Sequence, residues 1–145
     1  MPPDPLQPHT VSLQTGIDQF NQGEFYACHD TLEAIWMEAE IAEKPFFQGI
    51  LQLAVALYHL RNQNWRGAAI LLGEGISRLE PFEPHYRDVD VTSLLDCASL
   101  WLETLHQLGA NQVELLADAL ERTSQGKPGR EETANLPKWE IQPGN

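Results

Sequence analysis

A chain of 145 residues is long enough to bury a core as one domain, removing roughly 68–70% of its unfolded surface from water. Its 9 Lys and Arg against 21 Asp and Glu leave a net charge of −12 with no basic cluster, which argues against phosphate-tracking nucleic-acid binding and against anionic membranes. The opening MPPDPLQPHT has neither a positive n-region nor an apolar h-region, and Cys28 and Cys97 each fall inside a helical apolar pattern, so a reducing cytoplasm is expected, with no disulfide and no Cys-based metal site.

Residues 1–9 hold four prolines, which remove amide donors and favour extended backbone; they read as an arm ahead of a helical domain at 10–123. Leu13, Ile17 and Phe20 repeat at i, i+4 and i+7 and predict a first amphipathic helix over 10–22, ended by Gly23. A second helix over 24–40 puts Phe25, Cys28, Leu32, Ile35 and Trp36 on one face. His29 shares that face, Glu33 follows one turn later, and Asp30 is rotated away by about 100°. The acidic residues of 38–43 read as a solvated helix end. Pro45 suits the first turn of a third helix, and the short link before it makes the second and third helices antiparallel neighbours.

From Pro45 to Leu60 that third helix has no formal charge with His59 neutral, and apolar residues point all round it, which marks a core helix. It is shorter than the ~20 residues a bilayer needs and is interrupted by Gln48, Gly49, Gln52 and His59. Gln48, Gln52 and His59, at i, i+4 and i+11, form one polar stripe. An unpaired buried polar group costs about 1–3 kcal/mol, so the stripe must meet partners, and the second helix offers them.

A fourth helix over 65–80 shows Leu72, Ile76 and Leu79 at core spacing. Gly67, Gly73 and Gly75 weaken it by up to about 1 kcal/mol each, which makes sense where a neighbouring backbone comes close. Residues 81–90 read as a connecting loop, with Asp90 or Thr92 capping a fifth helix over 91–108 that Gly109 stops. A last helix over 112–122 follows. Residues 124–145 lack periodicity and read as an irregular tail, with Trp139 and Ile141 available to pin it.

Segments 20–35 and 60–75 align at an offset of 40, matching Phe20/Leu60, Phe25/Trp65, Ala27/Gly67, Cys28/Ala68 and Leu32/Leu72. The echo resembles stacked tetratricopeptide-like hairpins, and the expected fold is an all-α, single-domain array of about five or six antiparallel helices. Where the second copy has Ala69 and Gly73, the first has His29 and Glu33, a titratable pair that packing alone does not require.

His29 and Glu33 can supply an imidazole and a carboxylate to one divalent ion, zinc, manganese or iron, with His59 as a third ligand. Three ligands leave a position for a water whose pKa such a metal lowers toward about 7. Asp30 or a glutamine would position that water, and Gln48 and Gln52 would orient ligands or bind a substrate oxygen. The same residues also suit a buried hydrogen-bond network in which Glu33 fixes His29, or a metal-free acid–base site. His9, His85 and His106 fall in the arm, the loop and near a helix end and are assigned no role; Trp36, Trp65 and Trp101 are read as packing.

The run Phe20-Asn21-Gln22-Gly23-Glu24-Phe25-Tyr26-Ala27-Cys28-His29-Asp30-Thr31-Leu32-Glu33-Ala34-Ile35-Trp36, then Phe47-Gln48-Gly49-Ile50-Leu51-Gln52-Leu53-Ala54, Tyr58-His59 and Gly67-Ala68, resembles domain-of-unknown-function family 309. Its members are small all-helical bacterial and archaeal proteins, some described only as predicted metal-dependent hydrolases. The resemblance covers roughly residues 14–80. It implies an all-α array and a site at His29, Glu33, Gln48, Gln52 and His59. The family pattern usually reads His-Glu where this chain has His29-Asp30, so the second acid keeps its charge and loses reach. The expected function is a metal-dependent hydrolase acting on a small molecule. The alternative is a non-enzymatic helical-repeat module that binds a protein partner, and a homodimer through a helical face is the default assembly for such a bundle.

Overall fold

The computed structural model describes residues 12–144; the proline-rich arm and the expected beginning of the first helix near Thr10 lie outside them. Six α-helices follow one another among the described residues: α1 Leu13–Asn21, α2 Phe25–Glu38, α3 Lys44–Arg61, α4 Trp65–Leu79, α5 Val91–Leu108 and α6 Val113–Ser124. The fold is all-α. No helix among the described residues is long and apolar enough to cross a membrane.

The offset of 40 read from the sequence reappears as geometry. α1 turns into α2, and α3 into α4, through matching reversals: Glu24 N donates to Gln19 O and Asn64 N to His59 O, both at 2.8 Å. The pivots are Gly23 at φ 78° and Gln63 at φ 61°. A six-to-one hydrogen bond around a left-handed residue is how a helix end satisfies its last carbonyls, and glycine takes that conformation without the strain a glutamine meets.

α3 is the hub between α2 and α4. Phe46, Ile50, Leu53, Ala54, Ala56, Leu57 and Leu60 along it are all fully buried. Lys44 joins its first turn to the end of α2, where the ammonium donates to Trp36 O at 2.7 Å and lies 4.3 Å from the Trp36 ring centroid. A cation at a helix C-terminus meets both the orphan carbonyls and the negative end of the dipole. Close approach of α3 and α4 explains two of the glycines expected there. A Cβ on Gly75 would stand 2.8 Å from Leu53 Cδ2, and one on Gly67 would stand 2.9 Å from the His59 ring. Gly73 does not fit that reading, because nothing lies within 4 Å of its Cβ position.

Residues 81–90 are more ordered than a plain loop. A 3-10 turn at Glu80–Phe82 leads into an antiparallel hairpin, β1 His85–Tyr86 with β2 Val89–Asp90. Its two-residue turn places Arg87 and Asp88 at φ 50° and 61°. Positive φ at both central positions matches the strand twist, but the sequence carries no Asn-Gly or Asp-Gly to announce it. Asp90, one of the two expected caps, accepts from Ser93 N at 3.0 Å and starts α5. The acidic link is not merely solvated either. Glu43 accepts from Tyr86 Oη at 2.9 Å and from Arg87 Nε at 2.6 Å.

After α6 the chain runs back across the helices without regular structure beyond a 3-10 turn at Glu131–Thr133, and Leu136, Trp139 and Ile141 are buried. Trp139 lies edge-on to Phe20, at 6.1 Å between ring centroids, and 5.9 Å from Trp101. Trp101 Nε1 donates to Pro137 O at 2.9 Å. Asp90 N donates to Gln142 O and Gly144 N to Asp88 O, so the segment extends the hairpin edge.

Candidate functional site

The N-terminal half of α2 and the C-terminal half of α3 enclose a cavity of about 200 Å³ lined by Phe25, Tyr26, His29, Val55, Tyr58 and His59. Helical spacing puts Tyr26 and His29 one turn apart on α2, and Val55 and His59 one turn apart on α3. The walls are mostly rings: Tyr26 lies 5.4 Å from Tyr58 and 5.8 Å from His29, centroid to centroid. The two histidines singled out in the sequence therefore share one apolar cavity.

His29 is flanked by both nearby carboxylates. Its Nε2 lies 3.2 Å from Glu33 Oε2 and its Nδ1 3.2 Å from Asp30 Oδ1. A neutral imidazole can donate to only one of them, so both contacts are hydrogen bonds only when the ring carries two protons. The roles at His59 are set by its neighbour. Asn64 Oδ1 accepts from Gly67 N at 3.0 Å, which leaves the Asn64 amide nitrogen, 3.3 Å from His59 Nδ1, as the donor. Nδ1 then accepts, and the neutral ring keeps its proton on Nε2.

The two glutamines go elsewhere. Gln52 points to α4, where its Nε2 donates to Glu74 Oε2 at 3.2 Å and its Oε1 accepts from Arg78 Nε at 3.0 Å. Gln48 is half-buried, and its side chain makes no hydrogen bond among the described residues. The stripe on α3 thus lies over the groove between α2 and α4, rather than facing α2 alone. Tyr26, Val55 and Tyr58, which form most of the cavity wall, were not among the candidates from sequence, although one-turn spacing from His29 and His59 marks Tyr26 and Val55.

Two donors bound to one tetrahedral ion at 2.0–2.1 Å stand about 3.3 Å apart, so the separation of His29 Nε2 and Glu33 Oε2 suits a shared metal as well as a hydrogen bond. No third partner joins them: among the described residues, no group of three or more His, Cys, Asp or Glu is placed to hold a metal ion. Cys28 is fully buried beneath the site, and burial pushes its thiol up to about 12, which makes it a packing group rather than a nucleophile.

No solved structure matches the chain. It is similar to an uncharacterized protein, YpuF, of Bacillus subtilis (strain 168), with 41% identity over 58 residues; these are 39% of this chain and 33% of that protein, so the match spans about a third of the relative's length. Residues 13–71 match the family described as domain of unknown function DUF309. That segment carries every residue lining the His29–His59 cavity, so the likeness to DUF309 covers the whole of the candidate site.

Proposed function

We propose that the protein is a small-molecule hydrolase whose reacting groups are His29 and His59. The observation that carries this reading is the meeting of two imidazoles in one apolar cavity, one of them flanked by carboxylates on both ring nitrogens. A base taking a proton from an attacking water gains a positive charge; with His29 turned so that one ring nitrogen meets the water, the carboxylate kept on the other nitrogen, Glu33 or Asp30, stabilises that charge. His59, with Nδ1 engaged, has its Nε2–H left to donate to oxygen charge developing on a substrate carbonyl. The aromatic walls lower the local dielectric and strengthen both effects.

The metal-dependent form of this reading takes His29, Glu33 and His59 as ligands, with Asp30, Gln48 and Gln52 in support. The His29–Glu33 separation favours it, and as placed the residues supply two of the required ligands. The mechanism above therefore rests on the side chains themselves.

The test uses untagged protein, its metal content by mass spectrometry, and a panel of p-nitrophenyl esters and phosphates. Hydrolysis lost in His29→Ala and Glu33→Gln variants of unchanged circular dichroism supports the proposal. Stoichiometric zinc, manganese or iron that is absent from His29→Ala assigns the metal-dependent form. A metal-free wild type inert toward the whole panel sinks both. The helical-repeat reading then gains weight, since Tyr26 and Ile70 stand 59% and 49% exposed.

A further inference from the structure

His29 has one carboxylate more than a base uses. Glu33 faces its Nε2 and Asp30 its Nδ1, each at 3.2 Å, and neither carboxylate has another hydrogen bond or ion pair among the described residues. A neutral ring that keeps its proton on Nε2 donates to Glu33, its i,i+4 partner on the helix, and leaves Nδ1 bare for the proton of an attacking water. Asp30 is then set against a nitrogen lone pair. Its carboxylate is the surplus one, 64% exposed and without a cation of its own.

The surroundings do not supply that cation. No Lys or Arg lines the aromatic cavity. Arg61, near the end of α3, is engaged at the α1–α2 reversal, where its guanidinium donates to Gly23 O at 2.7 Å and lies 4.8 Å from the Phe25 ring centroid. The chain as a whole carries −12. Asp30 follows Tyr26 by four residues, so the surplus carboxylate stands one turn, about 6 Å, along α2 from an aromatic wall of the cavity. The cavity of about 200 Å³ exceeds the ~150 Å³ known to hold a benzene ring. An aryl-sized apolar hole with a spare carboxylate one turn from its wall is complementary to an aryl group that carries a cation. We infer that Asp30 binds the ammonium group of the ligand whose aryl group fills the aromatic cavity. The substrate class is then an ester or amide of an aromatic amino acid with its amine free, the ammonium lying about three bonds from the ring to match one helical turn. The inference rests on the aromatic cavity being the ligand site of the hydrolase proposed above.

Two measurements on the full-length protein test it. One follows amide shifts of 15N-labelled protein with 2-phenylethylamine, the neutral 2-phenylethanol and the anionic phenylacetate. The other compares kcat/KM for phenylalanine methyl ester and its N-acetyl derivative at about pH 6, where an α-amino group is protonated. The amine should bind about three- to fivefold tighter than the alcohol, a margin set by the exposure of the carboxylate, and phenylacetate should bind weakest. The free-amine ester should outpace the acetylated one by a similar factor. Both ratios should fall to near one in Asp30→Asn, with the affinity for the alcohol kept. Equal binding of amine and alcohol by wild type, with both esters cleaved alike, overturns the inference and leaves the hydrolase standing. An unchanged ester ratio in Asp30→Asn, both rates falling together, places Asp30 on the water and also overturns it. So does stoichiometric metal held by His29 and Glu33, because His29 is then no longer a free base. An amine preference that Asp30→Asn abolishes, with neither ester cleaved, supports the ligand class and retires the hydrolase. Absence of any shift around Tyr26, Val55 and Tyr58 with all three compounds overturns both.

Discussion

Glu43 and Arg87, 44 residues apart, hold the hairpin against the α2–α3 link through a two-pronged ion pair, with Arg87 Nε 2.6 Å from Glu43 Oε1 and Tyr86 Oη 2.9 Å from the same oxygen. Arg87 is at φ 50°, where a side chain other than glycine is strained, so the pair holds a conformation the turn would not choose unaided.

The Arg87 and Tyr86 hydrogen bonds hold the Glu43 carboxyl below its ordinary value. A depressed folded-state pKa contributes stability that is present above the unfolded value and is lost as pH falls through the folded one. The urea midpoint should accordingly decline below about pH 4.5 more steeply in wild type than in Glu43→Gln. Parallel acid limbs would remove Glu43 from the account. Arg87→Gly relieves the turn strain while deleting a half-exposed ion pair, so its midpoint near neutral pH should stay close to wild type, with the shallower acid limb of Glu43→Gln.

The parts of this fold legible in the sequence are those whose signal lies within one helix. Helix spans, the α1–α2 and α3–α4 echo and the His29–Glu33 spacing all follow from a 3.6-residue period. Gln52 shows the limit. A helix wheel places it on the stripe of Gln48 and His59, but α3 has a neighbour on either side of that stripe, and only the α3–α4 approach over Gly49 and Gly75 decides that Gln52 meets Arg78. The hairpin was hidden because Arg-Asp is not a turn dipeptide of that type. The docked tail was legible in part: Trp139 and Ile141 stand out as apolar anchors in an aperiodic segment, whereas its backbone bonds, one of them to a residue 120 positions away, leave no signal in the sequence.

Asn21 and Ile141 form one of those anchors. The Asn21 side chain accepts from Ile141 N at 2.7 Å and donates to Ile141 O at 3.1 Å, as an adjacent strand would. Asn21→Ala should cost about 1–3 kcal/mol by leaving that peptide unpaired, and Trp139→Ala about 3–5 kcal/mol by opening a void between Phe20 and Trp101. Denaturant midpoints check both. A Trp139→Ala protein as stable as wild type would show that the tail lies on a core complete without it.

The two thiols should be silent in the folded protein. Burial pushes Cys28 and Cys97 each up to about 12, so neither has appreciable thiolate at neutral pH. A chromogenic disulfide reagent should label neither residue in native buffer and both in denaturant. Fast labelling of one thiol in native buffer would reveal local opening of α2 or α5.

Gly73 and Gly75 on α4 give a matched pair with opposite signs. In an exposed helix interior, glycine to alanine stabilises by about 0.5–1 kcal/mol, because glycine loses more backbone freedom on folding. Gly73 has nothing within 4 Å of its Cβ position and should show that gain. At Gly75 the added methyl would stand 2.8 Å from Leu53 Cδ2 and 3.1 Å from Gly49 O, and the second neighbour is backbone that yields only if α3 and α4 separate. Overpacking of that kind costs about 1–3 kcal/mol, which exceeds the propensity gain, so Gly75→Ala should be destabilised. Because Gln52 reaches Arg78 across the same helix pair, Gly75→Ala should also shift the side-chain amide signals of Gln52, whereas Gly73→Ala should leave them unchanged. Thermal melts of the two variants, read beside the Gln52 side-chain amide signals, test both statements, and equal behaviour of the pair would show that the α3–α4 spacing does not set the Arg78 geometry.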